Sequence, residues 1–183
     1  MTLEEMGTEC GTDKVGHGYL PVYEEAFAPW RQTLYPVLEL GVQGGHSMRM
    51  WKRWFPLAPI IGVDQRPTGD FNDERTCIIV GDAQDPKVLA DVAARGPFAV
   101  IVDDCGHFGD QQEASFRALF PKLLSGGVYA VEDLHASYYN EYRPSAMPFL
   151  KGLVDDVNQR GGLAGARVGK VAFWPSLCMA WRA

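Results

Sequence analysis

Carboxylates and an imidazole follow two apolar stretches of this sequence, each at the point where the stretch ends. Asp104 and His107 follow one such run, and Glu132 and Asp133 end the next. If the two runs are neighbouring parallel strands, their carboxyl ends meet at one edge of a sheet and these side chains converge. Carboxylates that gather without a cation repel one another and raise each other's pKa. The set favours Mg²⁺ or Mn²⁺ over zinc; alternatively, the acids cap a helix, pair with Lys or Arg, or are solvated.

Such a cluster suits a reaction at a hydroxyl group. An alcohol is a poor nucleophile at neutral pH, and a divalent ion stabilises the developing alkoxide and orients it for in-line attack. His107, three residues after Asp104, can take the proton, because imidazole titrates near neutral pH. A vicinal diol, as on a sugar or a catechol, can replace two waters on the ion. The cluster therefore indicates metal-assisted chemistry on a hydroxyl.

A glycine-rich turn follows a short apolar strand and precedes a helical pattern. The strand contains Glu39, and the turn contains Gly41, Gly44 and Gly45. Glycines let a backbone take positive φ and approach a ligand, and the helix N-terminus beyond them offers free N–H groups. The spacing differs from the dinucleotide fingerprint G-x-G-x-x-G, because Met48 stands where the third glycine is needed. It resembles the turn by which class I methyltransferases hold S-adenosylmethionine.

Further acids end the other predicted strands. Asp64 lies about 20 residues beyond the turn, where a carboxylate binds a ribose diol in this architecture; the alternative is that it caps a turn. Arg66 beside it can in principle bind a 2′-phosphate, so a nicotinamide cofactor stays open. Asp82 either faces the adenine amino group or caps the helix that follows. Glu39, Gly45 and Asp103 are also predicted to contact the cofactor.

The elements that position these residues alternate between strand and helix. We expect strands at 37–40, 60–64, 76–83, 97–102 and 128–135, helices at 47–55, 88–94, 111–124 and 147–159, a helix stop at 161–162, and a terminal hairpin of 167–174 with 176–182. This pattern predicts an α/β fold: a Rossmann-like, doubly wound, mainly parallel seven-stranded sheet with a C-terminal antiparallel hairpin. We expect one domain over residues 1–183, with residues 1–34 as an N-terminal arm, helix and lid and residues 35–183 as the sheet core.

The N-terminal stretch is a glycine-rich polar loop that leads into a short amphipathic helix. Tyr19, Tyr23 and Phe27, at four-residue spacing, are expected to pack one helix face onto the sheet. The polar loop suits either a lid over a ligand or a solvated arm. His135 has no assigned role, since a contact behind the site and an exposed loop position fit equally. The candidate lid or substrate residues are Asp13, Lys14, His17, Tyr19, His135 and Tyr138.

Composition limits the partners. The net charge is −6 and lysine and arginine form no run, so neither nucleic acid nor an anionic membrane is an expected partner. The sequence shows no signal-peptide pattern and no apolar run near the roughly 18 residues of a membrane span, which predicts a cytoplasmic protein. The four cysteines are scattered along the sequence, which indicates reduced thiols. A small molecule with hydroxyl groups is the expected partner.

Four blocks of the sequence together resemble a known family. They are residues 11–19, residues 39–47, Asp104-x-x-His107 and residues 131–134. In this order they are similar to the metal-dependent sugar O-methyltransferases of natural-product tailoring, such as the mycinamicin, tylosin and rhamnosyl enzymes. The resemblance implies S-adenosylmethionine and Mg²⁺ (or Mn²⁺) as cofactors, and a sugar or other small natural product as acceptor. It implies Asp104, Glu132 and Asp133 as metal ligands, His107 as general base, and Gly41, Gly44, Asp64 and Asp82 around the cofactor.

Two features limit what the resemblance implies, and two other functions compete with it. The chain is shorter than the antibiotic enzymes, so sugar specificity does not carry over, and His135 is an additional imidazole near the strand ends. A homo-oligomer is possible because related enzymes oligomerise. One alternative is an Fe(II)-dependent hydroxylase of the cephalosporin-hydroxylase-like group, with His107, His135 and one carboxylate as ligands; it leaves the glycine turn without a role. The other is a non-enzymatic nucleotide-binding domain, which predicts no metal binding.

Overall fold

The computed structural model describes residues 1–69, 72–159, 162–163 and 165–183. The strands are β1 Val37–Leu40, β2 Ile60–Asp64, β3 Thr76–Val80, β4 Phe98–Asp103, β5 Leu123–Val131, β6 Gly162–Leu163, β7 Ala166–Trp174 and β8 Leu177–Arg182. They form one sheet in the order β3-β2-β1-β4-β5-β8-β7-β6. Strands β1 to β5 pair in parallel, and β8 runs antiparallel to both β5 and β7. The mainly parallel sheet with its terminal hairpin is confirmed, and the short β6 extends the seven predicted strands.

Helices cover both faces of this sheet. They are α1 Leu3–Cys10, α2 Leu20–Phe27, α3 His46–Trp54, α4 Pro86–Ala93, α5 Gly109–Leu119 and α6 Met147–Gln159. One buried cluster joins α1, α2 and α3 to the sheet, and the other joins α4, α5 and α6 to the opposite face. Side chains of β4 alternate between the two, so that Val100 and Val102 face the first helix layer and Ile101 faces the second. Among the described residues no helix has the length and apolar character needed to cross a bilayer.

The boundary between α5 and β5 differs from the prediction. The helix expected at 111–124 ends at Leu119, a single 3₁₀ turn spans Phe120–Lys122, and β5 begins at Leu123. Pro121 accounts for the end of the α-helix, because proline lacks the N–H that would continue the helical hydrogen bonds. At its other end β5 stops at Val131, and a 3₁₀ helix, Leu134–Tyr138, begins within the last residues expected as strand. The predicted stop residue Gly161 lies outside the described residues.

Helix α1 was not predicted from the sequence. Thr2 caps it by accepting a hydrogen bond from the Glu5 N–H at 3.1 Å, and the Glu5 side chain accepts one from the Thr2 N–H at 2.8 Å. This reciprocal pair is a capping box, whose Thr-x-x-Glu pattern is visible in the sequence. Leu3 and Met6 are buried in the layer with α2 and α3. The first residues therefore pack against the sheet as part of the fold.

Candidate active site

The glycine turn brings the end of β1 against the end of β4. Gly41 has φ +88°, and a Cβ built on it would lie 2.2 Å from the carbonyl oxygen of Asp104. Any other residue would therefore both strain the backbone and push the two strand ends apart. Gly45, with φ +67°, begins α3 without a side-chain cap. Gly41 and Gly44 line a polar cleft of about 250 Å³ at this edge of the sheet.

Two acids predicted to contact the cofactor lie away from that cleft. Glu39 is fully buried and accepts hydrogen bonds from Ser47 Oγ at 2.7 Å and Trp51 Nε1 at 3.1 Å. Burial raises its pKa, although these donors act in the opposite direction. Asp103 is equally buried, under the other helix layer, where Tyr129 donates a hydrogen bond to it at 2.9 Å and Ser115 donates a second. Side chains along a strand alternate between the two faces of the sheet, so Glu39 and Asp103 point into the helix layers and neither reaches the cleft.

The other two acids predicted around the cofactor lie at the ends of β2 and β3. Asp64 accepts hydrogen bonds from the N–H groups of Val42, Gln43 and Arg66 at 2.7–2.8 Å. Burial opposes its charge, but these N–H donors lower its pKa overall. Asp64 thus fixes the glycine turn, as one predicted alternative held, and its contact with a ribose stays a prediction.

The helix-capping alternative for Asp82 is not what the structure shows. Asp85 caps α4 by accepting from the Lys87 N–H at 2.8 Å, whereas Asp82 accepts from the N–H of Gln84 at 2.9 Å. The capping role therefore belongs to the residue three positions later. Asp82 is left at the end of β3, and its predicted contact with an adenine amino group stays a prediction.

Asp104, His107 and Asp133 converge at the strand ends. One ligand atom from each lies within 4.8 Å of the other two, and His107 Nε2 is 3.5 Å from Asp133 Oδ2. All three side chains are partly exposed to the cleft. His107 and Asp133 both have positive φ, at 55° and 54°, which is uncommon for residues other than glycine and clusters at functional sites. These turns aim both side chains back over the sheet edge.

The N-terminal loop places an ammonium group beneath this trio. Lys14 Nζ lies 2.6 Å from Asp104 Oδ2, 2.9 Å from Glu132 Oε2 and 3.5 Å from Glu39 Oε1, and the side chain is 1% exposed. Burial opposes its charge, but the three carboxylates outweigh that cost and raise the pKa of Lys14 well above its ordinary value. The sequence placed Lys14 in a lid or arm. The structure places it behind the acids, which no local pattern in the loop indicates.

Glu132 lies beneath the strand ends, on the same buried side as Lys14. Its Oε1 accepts a hydrogen bond from Tyr23 Oη at 2.7 Å, its Oε2 contacts Lys14, and the residue is 2% exposed. It therefore lies outside the group of Asp104, His107 and Asp133, although it was predicted as a metal ligand with the two aspartates. The role of Tyr23 was missed, because its spacing predicted only packing.

The remaining lid candidates surround the outer side of Asp133. Tyr19 donates a hydrogen bond to Asp133 Oδ1 at 2.9 Å, and the rings of His17 and His135 stack with centroids 6.4 Å apart. Asp13 lines the polar cleft. His135 and Tyr138 instead line an adjoining apolar cavity of about 390 Å³, whose other lining residues are Leu134, Met147, Lys151, Phe173, Trp174 and Ser176.

Comparison with known proteins gives relatives of one kind. No family model matches the sequence. The chain is 38% identical over 172 residues to 8-demethyl-8-alpha-L-rhamnosyl tetracenomycin-C 2′-O-methyltransferase of Streptomyces olivaceus, covering 85% of this chain and 46% of that protein. It is 33% identical to mycinamicin VI 2″-O-methyltransferase of Micromonospora griseorubida, covering 86% of this chain and 44% of the relative. The chain spans about half the length of the curated relatives it matches.

A solved structure matches the whole chain. MycE methyltransferase from the mycinamycin biosynthetic pathway, in complex with Mg, S-adenosylhomocysteine (SAH) and mycinamycin VI, superposes with a TM-score of 0.92 at 30% identity, covering 100% of this chain and 55% of the other. A caffeoyl-CoA O-methyltransferase-like protein from Staphylococcus aureus, with TM-score 0.62 and 12% identity, shares the fold. The sheet, its helix layers and the order of its strands are therefore those of the methyltransferase fold.

Proposed function

Since the chain is a homologue of the sugar O-methyltransferases of macrolide and tetracenomycin pathways, we propose that it is an S-adenosylmethionine- and Mg²⁺-dependent O-methyltransferase. Its acceptor is a hydroxyl, with a vicinal one beside it, on the sugar of a glycosylated natural product. The observation that carries the proposal is the convergence of Asp104, His107 and Asp133 beside the glycine turn. Homo-oligomeric assembly and a cytoplasmic location stay predictions.

The residues at the strand ends fit a divalent ion. Carboxylates of Asp104 and Asp133 meet at one edge of the cleft, and oxygen donors of this kind prefer Mg²⁺ or Mn²⁺. We propose Asp104 and Asp133 as the ligands, and Glu132, the predicted third ligand, as one that reaches the ion only by exchanging its contact with Lys14. Bound there, the ion supplies Lewis-acid stabilisation of the negative charge that develops on the acceptor oxygen.

The glycine turn fits the cofactor. The backbone at Gly41 and Gly44 lines the cleft without side chains, and so do His46 and Ser47 at the start of α3, where a helix N-terminus offers free N–H groups. Asp64 holds this turn in place through its backbone hydrogen bonds. S-adenosylmethionine supplies the electrophilic methyl group.

His107 is proposed as the general base. Its Nε2 faces Asp133 across the cleft, while its Nδ1 is buried and has no hydrogen-bond partner among the described residues. Nε2 is therefore the atom that takes the acceptor proton. The apolar cavity beside Asp133, bounded by His135 and Tyr138, is proposed to receive the part of the acceptor beyond the reacting sugar.

The test is methyl transfer to a defined acceptor. The protein is incubated with S-adenosylmethionine and a rhamnosylated aromatic polyketide with free 2′- and 3′-hydroxyls, and products are followed by mass spectrometry. We expect a methylated product that disappears with EDTA and returns with excess Mg²⁺. Transfer that is indifferent to EDTA would contradict the metal role. Hydroxylation that needs Fe(II) and O₂ would instead support the hydroxylase alternative, and no metal binding at all would support a nucleotide-binding domain.

A further inference from the structure

Lys14 is the one residue of the N-terminal loop whose charged group enters the layer beneath the strand ends. It lies on the 3₁₀ helix Asp13–Val15, and its side chain passes between helices and sheet to reach carboxylates of three strands. Both strong contacts, to Asp104 and Glu132, are within hydrogen-bond distance. A lysine this buried is rare unless its charge is paired. Here it is paired with acids proposed to hold the metal.

The acids divide into an inner and an outer set around this ammonium group. Glu39 and Glu132, the inner set, are almost fully buried and contact Lys14. Asp133, on the outer side, contacts Tyr19 and His107 instead. Asp104 belongs to both sets, because its Oδ2 contacts Lys14 while a carboxylate oxygen lies in the group with His107 and Asp133. A divalent ion and Lys14 would therefore neutralise the same negative charge.

Two cations that share the same carboxylates weaken each other's binding. Without any cation, buried carboxylates repel and lose hydration that nothing replaces. Lys14 removes part of that cost before a metal ion arrives. The same positive charge then lowers the attraction that the site exerts on a divalent ion a few ångströms away.

From this geometry, and resting on the proposed metal site, we propose that Lys14 is a built-in counter-cation of the metal centre. It is a positioning residue that keeps Asp104 and Glu132 folded together before a divalent ion binds, and it competes with that ion for their charge. Lys14 therefore lets the chain fold without metal and weakens metal binding in return.

The test compares Lys14→Met with the wild type, using thermal unfolding in EDTA and Mn²⁺ binding by electron paramagnetic resonance. We expect the variant's Tm in EDTA to fall by on the order of 10 °C, because a buried ion pair is broken. We expect its affinity for Mn²⁺ to rise by about 5-fold or more, because the positive charge that opposes the ion at Asp104 is removed. The matched control is Lys52→Met, which removes the same charge from an exposed pair with Asp73 and should change neither quantity appreciably.

A double variant keeps the test decisive if Lys14→Met does not fold. Lys14→Met with Glu132→Gln removes one charge of each sign, so we expect it to fold in EDTA with a Tm above that of the single variant. A double variant no more stable than Lys14→Met would overturn the proposal, and so would Mn²⁺ affinity in Lys14→Met that is equal to or below the wild-type value. Wild-type protein that binds no Mn²⁺ would instead contradict the proposed metal site, and the comparison in EDTA would still decide on the counter-cation.

Discussion

At the scale of single residues, two of the proposed site residues hold an uncommon backbone conformation. His107 and Asp133 hold positive φ, a region that Asn, Asp and His enter more readily than other non-glycine residues. The glycine before His107, Gly106, also has positive φ, at 57°. Together these residues reverse the chain directly after β4, so that the imidazole points back toward Asp133. The strained backbone conformation therefore holds the proposed base in a specific position.

His107→Asn tests that placement. Asparagine tolerates positive φ, so the fold should be kept, while the proton acceptor at Nε2 is lost. We expect kcat to fall by roughly 10²-fold or more, measured at saturating S-adenosylmethionine and Mg²⁺. Binding of Mn²⁺ should be retained. A variant that loses the ion along with its activity would make His107 a ligand instead of the base.

At the scale of elements, the turn after β1 and the end of β4 are in contact, and both line the cleft. Gly41 allows it, because the Asp104 carbonyl occupies the position a Cβ would take. The neighbouring Asp64 fixes the same turn from β2 through three backbone hydrogen bonds. Three parallel strands thus hold one turn, which is the part of the fold proposed to contact S-adenosylmethionine.

Gly41→Ala should therefore destabilise the protein more than its backbone conformation alone explains. We expect a loss of about 3 kcal/mol in the free energy of unfolding, from positive φ together with the clash on Asp104. The matched control is Gly18→Ala, where φ is +72° but nothing lies within 4 Å of the added Cβ, and the expected loss is about 1 kcal/mol. Both are measured by urea unfolding. Equal losses in the two variants would show that the clash is relieved by a small backbone shift.

At the scale of the whole molecule, the N-terminal segment is an integral part of the core. Leu20, Tyr23 and Phe27 are fully buried, and Tyr23 and Phe27 pack against Trp51 of α3. Tyr23 also donates a hydrogen bond to Glu132, directly after β5. The predicted separation into an arm and a sheet core therefore describes sequence order better than it describes packing.

Deletion of residues 1–30 tests this integration. The truncated chain would expose Trp51 and leave Glu132 without Lys14 and Tyr23, so we expect it to lose cooperative urea unfolding and near-ultraviolet circular dichroism. As a control, deletion of Met1 and Thr2 removes only the cap of α1 and should cost about 1 kcal/mol. A truncated chain that unfolds cooperatively near the wild-type midpoint would show that the segment is a detachable lid.

The sequence by itself determined the fold class, the glycine turn and the meeting of Asp104, His107 and Asp133. These follow from local rules: apolar runs mark strands, and parallel strands end at the same edge. It did not determine which way each acid points, so Glu39 and Asp103, expected at the cofactor, lie in the two helix layers. Nor did it place Lys14, which is 90 residues from Asp104 and 118 from Glu132 along the chain. Such contacts depend on how distant segments pack, and only the tertiary structure decides that.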